Sequence, residues 1–472
     1  MLQLVAFVLS VIGALMMLPA FADFSAGNPD WLSFAASSTV IVFLSGISYL
    51  AYRSGQIALS RRDIFKFVPA VWLVSCLAAA LPFYLSGLEL SFTDAFFEAV
   101  SGLTTTGSTI LSNLDGMPPG ILLWRSLTEW IGGLGIVVLS ITLLPFMKSG
   151  GQQLFSLESS DTAEKPFPKT RQYAERIALI YLLVTICCAI SYMALEMTAF
   201  EAINHAMATV STGGFSTTDD SMGRFATVPM LLVSTIFMGI GGLPFLFLIR
   251  LSMGHLIRDV QITVYLAIIL AATFLIYVTI SESTFHKGFA LFVTIMFNVV
   301  SVITTTGFAS EDYLLWGPAA VTIFFFLTFI GGCAGSTAGG FKQFRFVIAF
   351  QVVIDSLVKS FRPNQVRILR YGDRKIDERL ATSVMVFSFL YAGTFIFFAV
   401  IYSVLGLDFE TGVSASATAL ANVGPGVGGI IGPAGNFASL SNAIKWMLCW
   451  EMIVGRLELM SVYVILIPAF WR

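Results

Sequence analysis

Ten stretches of this chain are long and apolar enough to cross a lipid bilayer. They cover residues 2–21, 31–52, 66–87, 120–147, 170–197, 228–253, 259–281, 317–355, 377–406 and 438–469. A helical crossing needs about 20 such residues. Several runs exceed that, so tilt, breaks or cytoplasmic extensions are expected. Hydrophobic residues make up 57% of the 472 and charged ones only 11%, against about 25% charged in soluble domains. A water-soluble enzyme, a collagen, a coiled coil and a disordered chain are thereby excluded. Residues 1–22 mimic a signal peptide ending in Ala20-Phe21-Ala22. The first basic residue is Arg53, however, so an uncleaved first span is the expectation.

Net charge is only −2, so the placement of charge carries the information. Of the 26 Lys and Arg residues, 21 fall at the C-terminus or in the connections after the even-numbered spans, among them Arg53, Lys148, Lys165, Lys169, Arg250, Lys342, Arg345 and Arg362 to Arg379. The opposite side holds Arg224 and Lys287, while Arg125, Lys445 and Arg456 lie within spans. The positive-inside rule puts both termini in the cytoplasm. The longest hydrophilic stretch, 356–380, is a basic connector without a GxxxxGK[ST] loop. An ATP-driven pump with its own motor domain is therefore not expected, unless the motor is another chain, and no nucleotide is expected on this chain. Cys76, Cys187, Cys188, Cys333 and Cys449 read as small buried hydrophobes, and His205, His255 and His286 are too scattered for a metal cluster.

The outward connections hide a repeat. Each ends in a similar string: Leu103-Thr104-Thr105-Thr106-Gly107-Ser108, Val210-Ser211-Thr212-Gly213-Gly214-Phe215, Ile303-Thr304-Thr305-Thr306-Gly307-Phe308 and Ala421-Asn422-Val423-Gly424-Pro425-Gly426. Aligned on Gly107, Gly213, Gly307 and Gly424, the strings lie 106, 94 and 117 residues apart. Nine residues before these glycines stand Glu98, Asn204, Asn298 and Ala415. The segments preceding the strings, 92–103, 200–210, 289–303 and 411–421, are too short to cross and suit re-entrant half-helices. The expected architecture is an all-α polytopic membrane protein, with four parallel span–half-helix–string–span units around one pseudo-fourfold pore. Residues 1–55 form two extra N-terminal spans, and the units cover 56–150, 151–256, 257–362 and 363–472.

Non-helical backbone survives at membrane depth only where it lines a cavity or packs within protein. Four Thr- and Gly-rich segments can aim carbonyl oxygens inward and replace the water shell of a cation. The C-terminal dipole end of each half-helix favours the same charge. Asp94, Glu201 and Glu410 suit the opposite, positive ends, while the third unit has His286 and Lys287 there. No acidic ring lies at the strings, so carbonyl coordination of a large monovalent cation is expected.

Four such units, with one glycine per string, resemble the Trk/Ktr/HKT family of potassium transport subunits over essentially the whole chain. The two leading spans make it similar to the TrkH type. The resemblance implies a K⁺-selective pore, a homodimeric subunit of the bacterial inner membrane, and a cytoplasmic nucleotide-binding partner of the TrkA kind. No enzymatic activity and no nucleic-acid partner are expected. Carried over by position, K⁺ is held at Thr104, Thr105, Thr106, Gly107, Ser211, Thr212, Gly213, Thr304, Thr305, Thr306, Gly307, Asn422, Val423 and Gly424. Asn422-Val423 in place of a threonine pair makes the rings chemically asymmetric, although this string is itself typical of the family's fourth filter.

Two features point to a gate. Residues 331–340 carry Gly331, Gly332, Gly335, Gly339 and Gly340 with Ser336 and Thr337 between them. At about 1 kcal/mol lost per glycine the run cannot stay helical, so a mid-membrane loop is expected, with close Gly-xxx-Gly helix packing as the other reading. Arg456 lies near the middle of the last run and must face the pore or a partner. Glu451 and the 331–340 loop are its candidate mates, and a buried structural ion pair is the plainer alternative. In the family, the loop obstructs the pore and the arginine sits beneath the filter. Glu129, with Gly132, Gly133 and Gly135, and the run Gly239–Gly242 read as structural kinks. A Na⁺- or H⁺-coupled secondary transporter is the rival class. Such folds often use inverted repeats and carboxylate or histidine relays, whereas the repeats here are parallel and no relay is evident. The basic 362–379 connector could dock a partner or anchor to anionic lipid.

Overall fold

The computed structural model describes residues 2–52, 61–143, 170–255, 258–280, 287–365, 368–372 and 374–472. The expected unit boundaries at 55/56, 150/151 and 256/257 lie outside these, as do Arg53, Lys148, Lys165, Lys169, His286 and Arg367.

Among the described residues, six helices are long and apolar enough to cross a membrane: Leu2–Ser25, Trp31–Ala51, Phe65–Leu85, Gln172–Ala194, Val260–Thr279 and Glu378–Val404. Another helix, Pro119–Leu143, occupies the fourth apolar run. The remaining three runs are broken. Val228–Gly241 and Phe245–Ser252 meet at a bend of 102°, at the Gly239–Gly242 string expected to kink. Pro318–Ile330 and Gln343–Phe361 flank the glycine-rich loop. The last run was expected as a single span. It is split into Asn442–Arg456 and Leu459–Leu466, because Glu458 takes a left-handed φ of 57° that no helix tolerates.

The four short apolar segments are half-helices: Phe92–Leu103, Ala199–Ser211, Phe289–Ile303 and Phe409–Ala421. Three begin with a side-chain cap. Ser91 accepts from the Asp94 N–H, Thr198 forms a capping box with Glu201, and Asp408 accepts from the Thr411 N–H. Acidic residues thus sit at the positive dipole ends. The third half-helix starts at Gly288 without such a cap.

The all-α expectation misses one hairpin. Arg370–Tyr371 pairs antiparallel with Arg374–Lys375 in the basic connector, turning at Gly372 with φ 58°. Two residues per strand leave no periodicity to read.

The two leading spans pack tightly on each other. The Ser38 hydroxyl donates to the Gly13 carbonyl at 2.7 Å, and the Ser10 and Ser45 hydroxyls lie 2.8 Å apart. Such polar contacts hold helices together where lipid supplies no hydrophobic force. The pair is fastened to the first unit by carboxylates. Helix Pro119–Leu143 follows Pro118, which offers no side-chain cap of its own. Buried Asp23 fills that role, accepting from the Gly120 N–H at 2.6 Å. Asp30 accepts from the Gly87 N–H at 2.8 Å, just before the first half-helix. Asp23→Ala leaves a buried N–H unpaired, at a cost typical of a lost cap, about 1 kcal/mol. For a chain of this size the melting temperature of the detergent-solubilised protein is expected to fall by only about 1 °C, which thermal size-exclusion chromatography on replicate samples would check.

Candidate functional site

Each half-helix stops inside the protein by the same device. A residue in the left-handed region follows the helix: Thr105 (φ 50°), Thr212 (55°), Thr305 (57°) and Asn422 (56°). The next N–H then reaches back to the fifth carbonyl before it, Thr106 to Ser101, Gly213 to Ala208, Thr306 to Ser301 and Val423 to Thr418, at 2.8–3.0 Å. This is a Schellman ending, which satisfies carbonyls that would otherwise be orphaned.

Next comes a glycine at positive φ: Gly107 (78°), Gly214 (89°), Gly307 (82°) and Gly424 (104°). These four close a ring. A Cβ on Gly107 would stand 2.1 Å from the Gly213 oxygen, and one on Gly214 1.8 Å from that of Thr306. A Cβ on Gly307 would stand 2.1 Å from the Val423 oxygen, and one on Gly424 2.7 Å from that of Thr106. Each glycine therefore packs on the carbonyl of the next unit, and four backbone oxygens lie in one closed circuit.

The circuit shifts the alignment of the second unit. Gly214, not Gly213, occupies the position of Gly107, Gly307 and Gly424. Gly213 stands where Thr106, Thr306 and Val423 supply their carbonyls. A side chain at Gly213 would strike the Glu129 carboxyl, 2.3 Å away, and that carboxylate accepts the Phe215 N–H at 3.0 Å. The polar position nine residues before the ring glycine is consequently His205 in this unit rather than Asn204. Asn204 donates to the Phe200 carbonyl of its own helix at 2.8 Å. His205 Nε2 lies 3.0 Å from the Ser216 hydroxyl, and Asn298 donates to the Ser310 hydroxyl at 2.7 Å. Glu98 accepts from the Ile110 N–H at 3.1 Å. In three units this position ties the half-helix to the segment leaving the ring, while Ala415 cannot.

The threonine hydroxyls brace the strings. Thr104 donates to the Val100 carbonyl at 2.7 Å and lies 2.7 Å from the Thr106 hydroxyl; Thr304 and Thr306 repeat this arrangement in unit three. Asn422 reaches across units to the Thr106 hydroxyl at 3.0 Å. Ser211 bonds back to the Ala208 carbonyl at 3.2 Å. On one side the ring opens into a pocket lined by Ser108, Ser216, Asp219 and the ring glycines.

On the other side lies the glycine-rich segment, a loop as expected, with Gly331, Gly335 and Gly340 at φ 73–75°. Its donors reach up to the half-helix ends. Thr337 donates to the carbonyls of Val210 and Gly241, at 3.1 and 3.0 Å. The Gly339 N–H reaches the Thr305 hydroxyl at 2.7 Å, and the Gly340 N–H the Ala421 carbonyl at 2.9 Å. Ser336 closes the turn on the Cys333 carbonyl at 2.7 Å, while Gly332 abuts Ala338.

Arg456 is buried and donates to the carbonyls of Thr337, at 2.9 Å, and Gly132, at 3.4 Å; its Nε has no partner. Of its two candidate mates, the loop is the one it meets. Glu451 is engaged by the Tyr402 and Ser416 hydroxyls at 2.7 and 2.6 Å, and Glu458 pairs with Arg345 at 2.8 Å. Among the described residues no carboxylate offsets the Arg456 charge. Gly132 also marks a close approach, since a Cβ there would stand 2.0 Å from the Leu103 oxygen.

The sequence matches the family described as TrkH, cation transport protein, over residues 32–267 and 262–472. The chain belongs to this family. It is 40% identical to the Trk system potassium uptake protein TrkI of Halomonas elongata, across all of this chain and 96% of that one. With the Trk system potassium uptake protein TrkH of Salmonella typhimurium it shares 33% identity, across all of this chain and 98% of the relative. The crystal structure of the potassium transporter TrkH from Vibrio parahaemolyticus superposes with a TM-score of 0.90 at 30% identity, covering 100% and 99% of the two chains. The helical, four-unit membrane architecture is thus the TrkH fold, and the TrkH relatives are potassium transport proteins rather than enzymes.

The ring register is open to test. Gly214→Ala places a methyl group on the Thr306 carbonyl at positive φ. Cation uptake is expected to fall by about tenfold or more, a barrier of roughly 1.4 kcal/mol. Gly239→Ala, where nothing lies within 4 Å, should leave uptake unchanged in the same vesicle assay.

Proposed function

We propose that this chain is the channel-like, K⁺-selective membrane subunit of a potassium uptake system. The observation that carries the reading is the closed circuit of four ring glycines, each against a neighbouring unit's carbonyl. Backbone oxygens from Thr106, Gly213, Thr306 and Val423 take over the water shell of a dehydrated K⁺. The flanking Thr104, Thr105, Ser211, Thr212, Thr304, Thr305 and Asn422 hold the strings at fixed spacing. Half-helix C-terminal ends lower the energy of a cation beneath the ring. The four units at 56–150, 151–256, 257–362 and 363–472 are the quadrants of this pore, with residues 1–55 as an accessory pair of spans.

The 331–340 loop and Arg456 form the gate. The loop's N–H and hydroxyl donors occupy carbonyls that would otherwise face a cation, and the guanidinium adds a positive charge without a countercharge. Opening removes both together. The positive-inside distribution supports cytoplasmic termini in a bacterial inner membrane. The basic connector at 362–379 is the surface on which a TrkA-like nucleotide-binding partner or anionic lipid acts on Gln343–Phe361, directly behind the loop. The subunit works as a homodimer.

The deciding experiment is ⁸⁶Rb⁺ uptake into proteoliposomes of the purified subunit, with K⁺ and Na⁺ as competitors. Suppression by K⁺ and not by Na⁺ is expected. A requirement for a Na⁺ or proton gradient would instead make the chain a coupled transporter. Arg456→Ala is expected to raise K⁺ flux without loss of preference over Na⁺, and equal or lower flux at equal reconstitution would remove the arginine from the gate.

A further inference from the structure

Helix Pro119–Leu143 carries a guanidinium that reaches two quadrants of the ring at once. Arg125 is fully buried and pairs through Nε with Glu98 of the first half-helix at 2.8 Å. Its Nη2 donates to the Thr109 hydroxyl at 3.2 Å, two residues beyond Gly107. Its Nη1 crosses to the second unit and donates to the Ser216 carbonyl at 2.7 Å, two residues beyond Gly214. The guanidinium plane also lies over the Phe215 ring, 4.1 Å from its centroid. One turn along the same helix, Glu129 holds the Phe215 N–H. Glu98 completes the cluster by accepting from Thr109 at 2.9 Å and from the Ile110 N–H.

The other junctions are joined differently. The second and third units meet through the Met222 N–H and the Ala309 carbonyl at 3.0 Å, and the fourth and first through the Ser108 hydroxyl and the Gly424 carbonyl at 3.0 Å. Buried cations join other units as well, Lys445 to Asp94 at 2.6 Å and Arg345 to Glu458 at 2.8 Å; Arg125 differs in gripping the two segments that leave neighbouring ring glycines.

Resting on the reading of the ring as a K⁺ filter, we propose that Arg125 is a specificity-determining positioning residue: by clasping the segments that leave Gly107 and Gly214, it fixes the spacing of two adjacent quadrants and so sets the discrimination between K⁺ and Na⁺. Arginine suits the task because its planar fork donates in three fixed directions, where a lysine ammonium on a flexible stem cannot. A buried pair that served folding alone would make the same Nε contact to Glu98. It would have no need to hold the Ser216 carbonyl and the Thr109 hydroxyl at opposite corners.

The test compares ²²Na⁺ and ⁸⁶Rb⁺ uptake by full-length wild type, Arg125→Lys and Thr109→Val in proteoliposomes, each taken from the monodisperse fraction. Thr109→Val removes one corner of the clasp and leaves the ion pair in place. Arg125→Lys is expected to raise the Na⁺-to-Rb⁺ flux ratio about tenfold, and Thr109→Val about threefold. A lower yield with an unchanged ratio in the folded fraction of both variants would overturn the proposal and leave Arg125 a folding residue. If Arg125→Lys yields no folded protein, the Thr109→Val ratio decides alone. Wild type showing no preference for Rb⁺ over Na⁺ would be a different failure, that of the filter reading itself.

Discussion

A helix that stops halfway through a membrane leaves its last carbonyl groups where no water reaches them. This chain does so four times. The Schellman endings absorb part of the deficit, since the N–H groups of Thr106, Gly213, Thr306 and Val423 turn back into their own helices. That same turn swings the chain into a strand-like string and delivers each ring glycine against its neighbour. The ring is therefore a by-product of how the half-helices end. Its closure depends on all four ending alike.

The carbonyls that the turns do not absorb explain the loop. Val210 and Ala421 would look into an apolar cavity or toward an ion, and Thr337 and Gly340 donate to them instead. The loop thus satisfies backbone carbonyls that the half-helix endings leave open. The loop needs its glycines for this reason: a Cβ on Gly339 would stand 2.4 Å from the Ala421 oxygen. Arg456 completes the arrangement from the end of helix Asn442–Arg456, and Glu458, two residues further, ties the same break to Arg345. The break after Arg456 and the loop are accordingly two faces of one contact.

The half-helices were legible to within two residues at each end, because an apolar segment too short to cross, ended by a glycine string, admits few other readings. The register of the second unit was not. Val210-Ser211-Thr212-Gly213-Gly214 offers two glycines, and the letters alone do not reveal that Thr212 takes the left-handed turn. Aligning the strings on the residue that ends each helix, Thr105, Thr212, Thr305 and Asn422, would have found it. Arg125 and Glu129 stood out as charges within an apolar run. Their partners at Glu98, Ser216 and Phe215 lie far away in sequence and are brought together only by packing. The split after Arg456 rests on one positive φ at a non-glycine residue, and the 370–375 hairpin on four residues; neither leaves a periodic trace.

Asp23 carries an implication for biogenesis. The carboxylate precedes the Gly120 N–H that it receives by 97 residues, so during synthesis it is made long before its donor exists. Its other oxygen has no partner even in the finished fold. The leading hairpin by itself thus carries a carboxylate whose N–H partner has yet to be made. Helix Pro119–Leu143 supplies that partner before the later three half-helices are made.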